Sequence, residues 1–420
     1  MKRAGIFVVV ATFVVVSVMG AASDEGSSEP VTLEYMSWIQ SSIDNAVAFD
    51  AADNGIKVDV QNLNGDPEYQ TPLRIRLASG DHPDLWDSSS GSFFTQRVEG
   101  GGAMDITDLY HDKGWDTYYS EGATEVVTRD GRIYGVVVGG VFPWQMIFVN
   151  VDVFERLGLE YPKTIDDMIE LAPKLRAGGI EPLGFNNSAG WMGQIIFGDY
   201  MMQLVEHDTD EKLNSGELKW NEVPEMVDGF EAVKKLVDGD VFMVGWQSSG
   251  TNDTRHAFLS QKVALMYVGT WWVLGEDWDG PYDFEIDSIP LPLIDNNHSP
   301  KAYQTYPDGV AVVSPNTEHE QEAIDFLSSF VTDDFHRDIL GAGGSLTTVP
   351  SVNEQLDLHP FIVNEHILDQ FNYPLTNYWT TSFPVAVEEV LATQFDLIMS
   401  GQTTIEKALD LLEAEHKEYR

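Results

Sequence analysis

The chain has 420 residues, long enough for two packed domains and too long for one ordinary core. Its 24 Lys and Arg against 68 Asp and Glu leave a net charge of −44, which repels nucleic acid and anionic lipid and argues against both as partners. The absence of cysteine excludes disulfides, thiolate catalysis, thiolate metal sites and a lipid-modified cysteine anchor, while self-repulsion of so many carboxylates, screened by salt, points to a saline habitat.

Lys2 and Arg3, the apolar run Ile6–Val18 and the small residues Gly20-Ala21-Ala22 read as a secretory signal over residues 1–22. The run is too short to span a bilayer, so cleavage after Ala22 is expected, with the protein released to the periplasm or the exterior. Val31–Trp38 alternates as a strand, Ile43–Ala52 reads as a helix, and Ile56–Val60 alternates again. This β-α-β order predicts a parallel sheet with crossover helices. Thr164 with Asp167 predicts a capped helix that ends at Gly178-Gly179. The short apolar runs Ala264–Val268 and Val310–Val313 fit parallel strands buried on both faces. Thr317 with Glu320, and Thr403 with Glu406, predict two further capping boxes. Pro384 opens a helix whose Val387, Val390, Leu391 and Phe395 share a face, with Gly401 beyond its end. The fold class is α/β.

Four segments carry a resemblance. They are LASGDHPDL (Leu77–Leu85), TRDGRIYGV followed by FVNVDVFERLGLEYPKT (within Thr128–Thr164), AFLSQKVALMYVGTW (Ala257–Trp271) and SPNTEHEQEAIDFLSSF (Ser314–Phe330). In order and spacing the chain resembles the bacterial extracellular solute-binding proteins of the maltose-binding-protein type, from about Val31 to the C-terminus. It departs from them at Val136, where the family has proline, at Val149 in the family's Tyr-Asn pair, and at Gln261, where the family has glycine. The resemblance implies the two-lobed type II periplasmic-binding-protein fold, with lobes joined by crossing hinge segments. By that analogy the N-terminal lobe spans 31–143 plus 305–345 and the C-terminal lobe 144–304 plus 346–420. The ligand sits between them, and closure is a hinge motion.

A sugar presents apolar ring faces and an edge of hydroxyls, so its site needs flat aromatic rings bordered by carboxylates, amides and hydroxyls. The resemblance places Trp271, at the end of the third segment, as the ring-stacking tryptophan. Trp38 ends the first strand, where α/β sheets put ligands. Trp191 and Trp379 lie in loops that the family turns toward the cleft, and Trp144 sits in the loop before Asn150, close to the lobe crossing. Gln40, Asp87, Ser88, Asn187 and Asp308 are the polar candidates, although such residues also serve as caps and turns, and any tryptophan also suits a core. The expectation is a monomeric, non-enzymatic binding protein of an ABC importer, with a mono- or oligosaccharide and the permease subunits as partners and no metal or cofactor. Its rivals are the same fold holding a polyamine or peptide, and a secreted carbohydrate-active enzyme. No G-x-S-x-G elbow occurs, and His319-Glu320 lacks the second histidine of a zinc motif.

Overall fold

The computed structural model describes residues 30–63, 69–143, 146–206, 208–269, 283–307, 309–341, 346–356, 375–376 and 379–420. Trp144, Trp271, Asp308 and the signal segment lie outside the described residues. The strands are β1 (Val31–Ser37), β2 (Ile56–Asn62), β3 (Leu85–Ser88), β4 (Thr128–Arg129), β5 (Arg132–Ile133), β6 (Val136–Val137), β7 (Val141–Pro143), β8 (Met146–Asn150), β9 (Glu181–Gly184), β10 (Val263–Tyr267), β11 (Ile286–Pro290), β12 (Tyr303–Pro307), β13 (Val310–Val313) and β14 (Leu375–Thr376). Among the described residues no helix is long and apolar enough to cross a membrane.

The first sheet runs β2-β1-β3-β13-β6. β1 pairs in parallel with β2 and β3, as its β-α-β order predicts, through the helix Gln40–Ala51. β13 is buried along its whole length, as expected, but both its neighbours run antiparallel. Its apolar run therefore reported burial on two faces and not strand direction. The second sheet runs β11-β8-β10-β9, with β10 parallel to β9 and antiparallel to β8.

Two separate apolar cores lie around these sheets. One takes residues from Leu33 to Val138 and from Val310 to Val352. The other takes residues from Met146 to Ala302 and from Trp379 to Leu412. Val349 and Val352, expected in the C-terminal lobe, pack in the first core, so the third passage between lobes comes after Val352. The first two passages fall where β7 and β12 pair antiparallel, Thr305 facing Pro143 and Pro307 facing Val141. β14 joins the other edge of β12.

Local signals account for much of the helix placement. Thr164 and Asp167 close a full capping box: the Asp167 amide donates to Thr164 Oγ1 (3.2 Å) and the Thr164 amide donates to Asp167 Oδ2 (2.9 Å). The box expected at Thr317 does not form. The Thr317 hydroxyl donates to Asp84 Oδ1, and the helix begins later, at Glu320–Ser329. Asp84 also accepts the Glu34 amide (2.8 Å), so it braces β1 against the loop before the helix Glu320–Ser329. At the last helix the cap is Thr404, one residue beyond the expected Thr403.

Candidate functional site

On the first lobe, β1 and β3 end side by side, as their register sets Tyr35 against Leu85 and Met36 against Trp86. Trp38 follows the end of β1 and is half-buried. Its ring leans on Tyr69 at 4.4 Å between centroids. The Tyr69 hydroxyl donates to the Asp87 carbonyl (2.6 Å) and accepts from the Asp87 amide (3.0 Å), so the support under Trp38 is tied to β3.

Asp87 and Ser88 lie beneath this surface with no exposure. The Asp87 carboxyl accepts from the Tyr35 hydroxyl and from Ser37 Oγ (2.5 Å). Burial pushes its pKa up to about 7, against the pull of the Ser37 and Tyr35 hydrogen bonds. Ser88 Oγ donates to the Ser89 carbonyl (2.8 Å) and accepts from Arg97 Nη1 (2.7 Å). Both side chains are thus engaged inside the lobe and hold the strand ends in place. Gln40 is exposed at the start of its helix, and its amide donates to Asp44 (2.8 Å).

On the second lobe, the loop after β9 carries Asn187 and leads through Gly190 into the helix Trp191–Leu204. Trp191 opens that helix half-buried, against the edge of the second core. Asn187 is buried and works as a clamp: its Oδ1 accepts the Gly193 amide (2.7 Å) and its Nδ2 donates to Asp396 Oδ1 (2.8 Å). Burial raises the Asp396 pKa, and the Asn187 hydrogen bond opposes that rise.

Trp379 is not a surface ring in this structure. It is 2% exposed, enclosed by Phe197, Trp220 and Phe383, with its backbone amide donating to Gln304 Oε1 (2.7 Å). The short helical turn at Trp379–Ser382 tucks the indole inward, so the ring expected in a cleft-facing loop packs in the second core instead.

The structure therefore brings Trp38, Asp87 and Ser88 together on one lobe, and Asn187 and Trp191 together on the other. Sequence reasoning missed the supports: Tyr69, Arg97, Asp396 and the pair Ser92–Glu388. In that pair Ser92 Oγ donates to Glu388 Oε1, from the first lobe's helix Ser92–Glu99 to the second lobe's helix Val385–Met399. The only legible signal was Glu388 itself, a carboxylate placed beside the apolar face of Val387, Leu391 and Phe395. Four residues further along that helix, Ala392 lies against Gly190, just before Trp191. Residues of this one helix thus contact both Ser92 of the first lobe and the turn that precedes Trp191. Among the described residues no three His, Asp or Glu are grouped to hold a metal ion.

Two lobes with separate cores, joined by paired crossing strands, define a two-lobed α/β protein of the solute-binding type. Residues 30–334 match the model of the bacterial extracellular solute-binding proteins, and the chain belongs to that family. It is similar to an uncharacterised ABC transporter extracellular-binding protein of Pyrococcus horikoshii, 28% identical over 73% of this chain and 69% of that one. Two further curated relatives are matched over about half of their length, 53% and 50%. In fold the chain is similar to a chitin oligosaccharide binding protein, with a TM-score of 0.79, 18% identity, and coverage of 93% of this chain and 99% of that one. It is also similar in fold to a bacterial solute receptor with an exclusive preference for β-D-galactopyranose, with a TM-score of 0.77, 16% identity, and coverage of 93% and 100%.

Proposed function

We propose that this protein captures a mono- or oligosaccharide between its lobes and delivers it to the permease subunits of an ABC importer, as a soluble extracytoplasmic monomer that leaves the sugar unchanged and uses no metal or cofactor. The observation that carries the reading is the placement of one half-exposed indole on each lobe, Trp38 and Trp191, each mounted on polar groups that are already hydrogen-bonded. Such rings cover the apolar face of a sugar with little loss of rotamer freedom. The sugar-binding proteins that share this fold take ligands from a single pyranose to an oligosaccharide, which supports the same chemical class here. From its sequence motif alone, Trp271 joins these two as a third platform.

Calorimetry against a panel of sugars tests the reading. A sugar is expected to bind with one-to-one stoichiometry, and Trp38→Ala and Trp191→Ala are each expected to weaken it by about 1–3 kcal/mol while the melting temperature stays close to the parent's. Products after prolonged incubation with oligosaccharides would make the protein an enzyme. Binding of spermidine-like amines with no response to any sugar would move it to another ligand class.

A further inference from the structure

Ser92 of the first lobe and Glu388 of the second meet at a buried hydrogen bond. Ser92 is 7% and Glu388 6% exposed. Ser92 opens a helix whose Phe94 belongs to the first core, and Glu388 sits between Val387 and Leu391 of the second. The approach is close beside this bond. Gly91, at φ +82°, has Thr381 of the second lobe so near that a Cβ there would lie 2.8 Å from Thr381 Oγ1. No other residue type fits that position, because it combines a left-handed backbone with backbone and side-chain atoms of the other lobe.

We infer that Ser92 and Glu388 form an inter-lobe latch, a positioning pair that holds the lobes near their capture geometry before any ligand arrives. The inference rests on the two-lobed capture reading. A latch of this kind raises apparent affinity by enlarging the fraction of molecules already in the binding-competent arrangement. It also explains why a carboxylate is tolerated beside an apolar helix face. Burial pushes the Glu388 pKa up to about 8, Glu389 adds to the rise, and the Ser92 hydroxyl opposes it, so near neutral pH the group is a neutral acceptor instead of a buried charge.

The chain has no cysteine, so a pair of spin labels can be placed cleanly. Lys57→Cys on the first lobe and Lys235→Cys on the second lie at exposed positions and report the inter-lobe distance. In the unliganded full chain, the parent is expected to give one dominant distance. Ser92→Ala is expected to move the distribution to longer distances, by more than the parent's own width, and Glu388→Ala to do the same. Glu388→Gln keeps the acceptor oxygen and is expected to restore the parent distribution. A parent-like distribution in Ser92→Ala overturns the latch, and so does an open distribution in Glu388→Gln. Ser92→Ala removes one oxygen and decides the matter even if Glu388→Ala does not fold. Because no sugar is present, the outcome does not depend on whether the ligand class is correct.

Discussion

The two lobes mount their indoles in different ways. On the first, Trp38 follows a strand end and rests on Tyr69, whose hydroxyl is bonded to the backbone of the neighbouring strand. On the second, Trp191 starts a helix, and the entry turn is held by the Asn187 side chain, which reaches the distant Asp396. A strand-end platform inherits its rigidity from the sheet ladder. A helix-start platform depends on side chains from far along the chain, so it is the surface more easily disturbed by substitution. Trp379 marks the limit of both arrangements: it shares their sequence appearance but is enclosed by three aromatic rings.

The largest effect is expected at Trp379. Its truncation to alanine removes a ring packed on Phe197, Trp220 and Phe383, and a core loss of this type costs about 3–5 kcal/mol. The damage should be confined to the second lobe, so calorimetric melting of Trp379→Ala is expected to separate into two transitions, the first lobe holding near the parent temperature. An unchanged melt with lost sugar affinity would return Trp379 to the ligand surface and erase its contrast with Trp38 and Trp191.

A pH profile sharpens the comparison on the first lobe. Burial holds the Asp87 pKa up at about 7, while the unfolded chain releases that proton near 4. The folded state therefore binds the extra proton, and the stability it contributes is complete below about pH 4 and is lost as the pH rises toward 7. Self-repulsion of the acidic surface slopes the same way, since its carboxylates also ionise over this range. Asp87→Asn keeps a neutral group in the site and is expected to flatten the fall in melting temperature between pH 4 and 7. A slope equal to the parent's would assign the dependence to the surface charge and to Glu388, the buried carboxyl between the lobes whose pKa burial raises to about 8.

Much of the architecture was legible because it rests on local patterns. The alternation of Val31–Ser37, the Thr164–Asp167 box and the apolar run at Val310–Val313 each describe an element whose neighbours in sequence are also its causes. The lobe boundaries near β7 and β12 came from the family resemblance and not from any local pattern, and the two strands pair antiparallel. What stayed hidden depends on distance. Whether a tryptophan in a loop faces solvent or a core depends on residues such as Trp220, far from Trp379 in the chain. Nothing local in the sequence told that Asp87 would be enclosed by Tyr35 and Ser37, or that Thr317 would be taken by Asp84.

The smallest effect lies in the turn between the helix Thr251–Leu259 and β10. Gln261 stands where relatives of this family carry glycine, and its backbone has φ +57°, the left-handed region. There its amide donates to the Phe258 carbonyl (2.8 Å) and the next amide, from Lys262, donates to Ala257 (2.8 Å), closing the helix Thr251–Leu259 before β10 begins. The left-handed conformation costs a residue with a Cβ about 1–2 kcal/mol. Glycine removes that penalty but loses more chain entropy on folding, about 0.5–1 kcal/mol. Gln261→Gly is therefore expected to stabilise the protein by about 0.5 kcal/mol, seen as a higher urea midpoint with an unchanged slope. Both hydrogen bonds are made by backbone groups and survive the change, so neither sugar affinity nor the position of Trp191 should move. A lowered midpoint would show that the Gln261 side chain holds this turn.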